Sequence, residues 1–101
     1  MPEIYFHVRW PDGTTERCYS PSTVVEDYVT AGAVYDLADF VGRSRTALGI
    51  ASDRVRATYG FACTGASDQL TRIERVAAGY AGQAGAKVTV ESIVNADGSP
   101  R

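Results

Sequence analysis

Three side chains in this sequence are of types that can act as nucleophiles or metal ligands, namely His7, Cys18 and Cys63. A histidine beside a cysteine can lower the pKa of the thiol and produce a thiolate nucleophile, and the same two groups can bind zinc or copper. Because two ligands do not make a metal site, Cys63 would have to be a third member. Alternatively, His7 and Cys18 are a neutral pair on neighbouring strands, and Cys63 is a small buried apolar side chain. From these residues we predict no metal, no cofactor and no identifiable catalytic residue.

A predicted β-hairpin brings two of these residues together. Residues 4–10 alternate apolar and polar side chains, which is typical of a half-buried strand, and the returning strand covers residues 14–20. Between them, Asp12-Gly13 is a strong hairpin-turn signal, because glycine accepts positive φ. A two-residue turn at this position would place His7 directly opposite Cys18, where the two side chains are close enough to touch.

The same pairing predicts which side chains the hairpin leaves open. Even-numbered positions of the first strand, from Ile4 to Trp10, form the core face. The side chains expected on the opposite face are Tyr5, His7, Arg9, Glu16 and Cys18. Since proteins usually cover an open sheet face and its edges, we predict that Tyr5, His7, Arg9 and Glu16 form a candidate interface.

Two helices are predicted directly after the hairpin. A short one over residues 23–32 has capping-box spacing at its start. A long one has Asp36 as its N-cap, continues to about Tyr59 and is closed by a left-handed cap at Gly60. Its length follows from one apolar stripe at spacings of three and four, which consists of Leu37, Val41, Ser44, Leu48, Ala51 and Val55.

A third helix is predicted to begin with Ser67 as its cap, and its apolar stripe consists of Leu70, Ile73, Ala77 and Tyr80. The N-terminus of this helix could stabilise a thiolate at Cys63, which precedes it in the chain. Residues 86–94 alternate again and predict a third strand, followed by a polar, flexible tail at 95–101. The order β-β-α-α-α-β predicts an α+β fold. It consists of a three-stranded antiparallel sheet with the helices on one face, in a single domain of residues 1–94.

The composition argues against several classes of function. The chain has 101 residues, of which 45% are hydrophobic and 22% charged, as is typical of one folded domain. Its net charge is −2 and it contains no basic run, so we expect no nucleic-acid binding. No apolar stretch approaches the roughly 18 residues of a membrane span and no signal peptide is recognisable, so we expect a cytoplasmic protein with reduced cysteines. The sequence also lacks a nucleophile elbow, a phosphate-binding glycine loop and a Cys-x-x-Cys pair.

Five short blocks of the sequence point to a known family: Trp10-Pro11-Asp12-Gly13, Tyr19-Ser20-Pro21-Ser22, Asp39-Phe40-Val41, Arg54-Val55 and Tyr59-Gly60-Phe61-Ala62-Cys63. In these blocks and in length, the chain resembles the small bacterial nitrogen starvation response family over about residues 2–80. The resemblance implies a gene placed beside those of a nitrilase, a radical-SAM protein, an acetyltransferase and a flavoprotein, in a cluster for the use of nitrile or cyanide nitrogen. It carries no catalytic residue over to this chain, although Cys63 lies inside a matching block.

Two functions of different classes remain open at this point. The first is a small accessory protein, not an enzyme, that binds a second copy as a homodimer or a protein partner from the same gene cluster. The second is a small thiol- or metal-dependent enzyme or ligand carrier that uses Cys63, with or without the pair of His7 and Cys18. The small size, the lack of a catalytic motif and the open hairpin face favour the first.

Overall fold

The computed structural model describes residues 2–61 and 64–101. Its elements in chain order are strands β1 (Ile4–Arg9) and β2 (Thr15–Ser20), a 3₁₀ helix (Thr23–Asp27), strand β3 (Val34–Asp36), helices α1 (Leu37–Tyr59) and α2 (Thr64–Ala78), and strand β4 (Lys87–Asn95). Within these two described ranges, no helix has both the length and the apolar character needed to cross a membrane.

The strands form one antiparallel sheet in the order β2-β1-β4-β3. The predicted α+β class is confirmed, but the predicted three-stranded sheet is one strand short. The additional strand, β3, has only 3 residues, which is too few for an alternating pattern to be recognised. It pairs with β4, with Val34 opposite Thr89 and Asp36 opposite Lys87, and leads directly into α1.

The hairpin loop has three residues rather than the predicted two. The Trp10 N–H donates to the Thr14 carbonyl at 2.8 Å, and the Gly13 N–H donates to the Trp10 carbonyl at 2.9 Å. A two-residue type I′ turn needs positive φ at both central residues, but among the described residues only glycines have it, such as Gly13 at 90°. Pro11 instead favours a type I turn, in which it takes the second position and Gly13 the fourth. The pairing of β1 with β2 is therefore shifted by one residue from the prediction.

Helix α1 is the long helix that the apolar stripe predicts. It continues through Gly42 and Gly49 without a break and is followed by Gly60, whose φ of 79° is the expected left-handed cap. Asp36 is the N-cap residue, as predicted, but its side chain makes no capping hydrogen bond and forms an ion pair with Lys87 instead.

The other two helices differ from the predictions in their caps and in their bounds. The 3₁₀ helix is capped by Ser22, whose hydroxyl accepts a hydrogen bond from the Val24 N–H at 3.3 Å. It ends at Asp27 and is shorter than predicted. Helix α2 already includes Thr64, so Ser67 lies inside its first turn rather than at its cap.

The core lies between one face of the sheet and the two helices. The positions that the patterns place in the core and that are buried include Ile4, Phe6, Val8, Trp10, Leu48, Val55, Ile73, Val88 and Val90. Leu37, Val41 and Leu70 also belong to the predicted stripes, but they are only partly buried and pack against the margin of the core. Phe40 lies outside the predicted stripe, yet it is fully buried and meets the Trp10 ring edge-on at 5.7 Å.

A second hairpin turn follows β4. The Asn95 N–H donates to the Ser99 carbonyl at 2.9 Å, and the Gly98 N–H donates to the Asn95 carbonyl at 2.9 Å. These are the hydrogen bonds of the loop between β1 and β2, and Gly98, with φ of 87°, takes the place of Gly13. The flexibility expected of residues 95–101 stays a prediction, as does the division of the chain at residue 94.

Candidate functional site

The structure places Tyr5, His7 and Arg9 on the sheet face that points away from the helices. Their neighbours Phe6 and Val8 are buried, and in the described part of the chain both helices pack on that buried side. We call the opposite surface the open face; it consists of Tyr5, His7, Arg9, Thr15, Arg17, Tyr19, Val34, Asp36, Lys87, Thr89, Glu91, Ser92 and Val94.

The predicted contact between His7 and Cys18 is wrong. With the three-residue loop, Cys18 lies opposite Phe6, and His7 lies opposite Arg17. Because successive residues of a strand alternate between the two faces, a shift of one residue moves Cys18 from the open face to the core. The two side chains therefore lie on opposite sides of the sheet.

Glu16 also lies on the helix side rather than on the open face. It is opposite Val8, and its carboxylate accepts two hydrogen bonds from the Arg72 guanidinium of α2, each at 3.2 Å. The hydrogen bond and the charge of Glu16 raise the pKa of Arg72. The predicted interface thus loses Glu16 and gains Arg17, because the three-residue loop exchanges the two faces of β2 relative to the two-residue turn.

Cys18 has the environment of a core side chain and is fully buried. Burial raises the pKa of its thiol well above the ordinary value, and the Glu16 carboxylate raises it further. A thiol that stays protonated is a poor nucleophile and a poor metal ligand. Cys63 lies outside the described residues. In residues 2–61 and 64–101, no three His, Cys, Asp or Glu side chains are grouped as metal ligands would be.

Aromatic and basic side chains occupy the β1–β2 half of the open face. Tyr5 and Tyr19 are directly opposite each other, with ring centroids 5.8 Å apart. The Arg17 guanidinium carbon lies 4.3 Å from the centre of the Tyr5 ring, which is the geometry of a cation–π contact. His7 lies between Arg17 on β2 and Ser92 on β4.

A β-bulge interrupts the pairing of β1 with β4 near the centre of the open face. The register shifts between His7 and Val8, so that His7 pairs with Ser92 and Glu91 is the extra residue. The Glu91 carboxylate accepts a hydrogen bond from Arg9 Nε at 2.9 Å. Bulges often re-aim side chains at functional sites, and this one gives Arg9 a carboxylate partner while it leaves His7 beside a hydroxyl.

A cleft of about 830 Å³ lies on the helix side, between the start of α1 and the end of α2. Its walls include the partly buried Leu37 and Val41, and Tyr80 of the loop that follows α2. An ion pair between Arg45 and Glu74, 2.8 Å from nitrogen to oxygen, joins the two helices at its rim. The apolar periodicity that assigns Leu37, Val41 and Tyr80 to the core contains no signal for this cleft.

The fold and the open face define a small α+β protein whose four-stranded sheet is covered by helices on one side and carries aromatic and basic side chains on the other. The family model described as nitrogen starvation-induced protein NitG matches residues 5–93, and the chain belongs to that family. The resemblance to a nitrogen starvation response family is thereby confirmed. No curated protein and no solved structure matches the chain.

Proposed function

We propose that this chain is a small accessory protein of a bacterial nitrogen-scavenging pathway, not an enzyme, and that it acts by binding another protein of the pathway through its open face. The family description connects the chain with nitrogen starvation. The use of nitrile or cyanide nitrogen, and a partner encoded in the same gene cluster, are the finer parts of the proposal and rest on the resemblance.

The observation that carries the proposal is the group of Tyr5, Tyr19 and Arg17 on the open face. Tyrosine and arginine are enriched among the residues that dominate binding energy at protein interfaces. Here the ring contacts hold these long side chains in place before any partner arrives, which reduces the entropy lost on binding. A partner that covers the rings would also remove apolar surface from water.

The charges of the open face favour a different protein over a second copy. Its carboxylates, those of Glu91 and Asp36, already form ion pairs with Arg9 and Lys87. A second copy that docked with the same face would therefore meet Arg17 without a free carboxylate to offer. A homodimer, the other partner left open by the sequence, becomes an outcome that the experiment below can reveal.

The alternative function, a small thiol- or metal-dependent enzyme or carrier, loses the pair that could have assisted Cys63. His7 and Cys18 lie on opposite faces of the sheet, and the Cys18 thiol is buried. What is left of this alternative is the reactivity of Cys63.

Co-expression tests the proposal directly. The chain is produced together with the proteins encoded beside its gene, and complexes are measured by size-exclusion chromatography with light scattering. Tyr5→Ala removes a ring from the open face, and Tyr59→Ala is its matched control, because Tyr59 is an exposed tyrosine on α1. We expect a complex that Tyr5→Ala abolishes and Tyr59→Ala preserves, with the folding of both variants checked by circular dichroism.

Three results would contradict the proposal. They are the absence of any complex, a complex that survives Tyr5→Ala, and a homodimer of the chain alone that Tyr5→Ala dissociates. The last of these would identify a second copy as the occupant of the open face.

A further inference from the structure

The side chains of the open face lie in rows that cross the strands. One row consists of Arg17, His7 and Ser92, which are neighbours on β2, β1 and β4. All three can donate hydrogen bonds: arginine through a planar fork, histidine through a ring N–H and serine through its hydroxyl. The adjacent row begins with the paired rings of Tyr19 and Tyr5.

Arg17 differs from the other basic residues of the open face in its partners. Arg9 binds the Glu91 carboxylate and Lys87 binds that of Asp36. Among residues 2–61 and 64–101, Arg17 has no carboxylate partner, and its guanidinium rests on the Tyr5 ring. Stacking on a ring occupies one face of the guanidinium and leaves the N–H donors in its plane free for a bidentate acceptor.

His7 is similarly uncommitted. Within the described ranges its side chain makes no hydrogen bond, and the bulge directs the nearest carboxylate of β4, that of Glu91, to Arg9. An anionic group above this row would thus meet Arg17, His7 and Ser92 without first displacing an existing ion pair. The chain as a whole has a net charge of −2, so this uncommitted positive group lies on an acidic protein.

We propose that the partner docks an acidic segment on this row, an inference that rests on the proposed function. A glutamate or aspartate carboxylate of the partner accepts two hydrogen bonds from the Arg17 guanidinium, with His7 and Ser92 as further donors. An apolar or aromatic side chain next to that carboxylate packs on the rings of Tyr5 and Tyr19. A protein carboxylate fits better than a nucleic acid, because one free arginine cannot neutralise a run of phosphates.

A synthetic peptide of six glutamates serves as the probe. It is titrated at low salt into the ¹⁵N-labelled full chain, and amide chemical shifts are followed by NMR. We expect the largest shifts at His7, Arg17 and Ser92. Arg17→Gln should weaken binding about tenfold, as expected for the loss of one charge-assisted contact.

The matched control is Arg56→Gln. Arg56 is an exposed arginine near the end of α1, and its side chain makes no ion pair with any described residue. We expect this variant to bind the peptide as the unaltered chain does. Equal losses in the two variants would mean that the peptide senses only net charge, and shifts confined to the helices would place it on another surface. Either result would overturn the inference, as would tighter binding of single-stranded DNA under the same conditions.

The co-expressed complex separates this inference from the function on which it rests. If Tyr5→Ala dissociates the complex and Arg17→Gln leaves it intact, the open face binds the partner, but an acidic segment is the wrong ligand. If no complex forms at all, the proposed function fails, whatever the peptide does. We expect Arg17→Gln to dissociate the complex and Arg56→Gln to leave it unchanged.

Discussion

The side-chain oxygen of Gln69, on α2, accepts a hydrogen bond from the backbone N–H of Tyr19 at 2.9 Å. Because β2 is an outer strand of the sheet, this N–H points to the side where a further strand could be added. Helix α2 also holds β2 through the ion pair between Arg72 and Glu16. The helix therefore protects part of this edge, which favours the open face over the β2 edge as the place where a protein binds.

We expect Gln69→Leu to destabilise the protein by about 1 kcal/mol, because the Tyr19 N–H loses its acceptor while the side chain keeps a similar size. Urea unfolding followed by circular dichroism measures the difference. Gln83→Leu is the matched control, since Gln83 is exposed in the loop after α2 and its side chain makes no hydrogen bond within the described ranges. Its effect should stay below about 0.5 kcal/mol. Equal effects of the two substitutions would contradict the assigned role of Gln69.

The loop at Asp12-Gly13 shows which features of the hairpin the sequence predicts correctly and which it does not. The dipeptide correctly predicts a hairpin, but the length of the loop depends on Pro11, whose ring favours the second position of a type I turn. That one-residue difference decides the register and therefore the face on which every β2 side chain lies. Two of the predicted interface and ligand residues, Glu16 and Cys18, were misplaced for this single reason.

The other elements differ in how well the sequence predicts them. The apolar stripe predicts α1 and the cap residues Asp36 and Gly60 predict its two ends, and these predictions are confirmed. Strand β3 is too short for periodicity to reveal, since a three-residue segment becomes a strand only through its pairing with β4. The turn at Asp97-Gly98 contains the same Asp-Gly dipeptide as the turn at Asp12-Gly13. The dipeptide could have predicted this turn, but the polar composition of residues 95–101 favoured the prediction of a flexible tail.

The two hairpin turns each contain an aspartate whose pKa we expect to be low. The Asp12 carboxylate accepts hydrogen bonds from the Thr14 hydroxyl at 2.7 Å and the Thr14 N–H at 2.9 Å, and these bonds lower the pKa of Asp12. Asp97 and Ser99 repeat the arrangement, at 2.6 and 2.9 Å, and the pKa of Asp97 is lowered in the same way. Carboxyl-carbon NMR titration should find both groups below the ordinary aspartate value of about 3.9.

The direction of the stability effect follows from these lowered values. A carboxyl with a lower pKa in the folded state contributes stability that is complete above its unfolded pKa and is lost as the pH falls through its folded pKa. We expect Thr14→Val to raise the pKa of Asp12 part of the way, since the backbone N–H still donates, and to leave that of Asp97 unchanged. Ser99→Ala should do the reverse. If either substitution moved both values, the two turns could not be independent.

The burial of Leu48 predicts a large effect of truncation. Leu48 is 1% exposed in the core face of α1, so Leu48→Ala should cost about 2–5 kcal/mol through lost apolar burial and the cavity left behind. Leu70→Ala is the matched control, because Leu70 is only partly buried at the margin of the core. Chemical unfolding should find a clearly smaller loss for Leu70→Ala at an unchanged dependence on denaturant. Comparable losses would mean that the margin of the core is packed as tightly as its centre.

The last prediction concerns the two cysteines, which together decide whether thiol chemistry is open to this protein. In a Cys63→Ser background, Cys18 should not react with a thiol probe at neutral pH until the protein is unfolded, because burial raises the pKa of its thiol and excludes the reagent. In a Cys18→Ala background the probe reports on Cys63 alone, and we expect that thiol to be buried and equally slow. Slow reaction of both would be the behaviour of packing cysteines, in agreement with a binding function.

Fast reaction of Cys63 in the folded protein, with an apparent pKa well below the ordinary value of about 8.5, would instead support the thiol-dependent alternative. Fast reaction of Cys18 would contradict the register of the β1–β2 hairpin itself, since this register places the thiol in the core and a shift of one residue would place it on the open face.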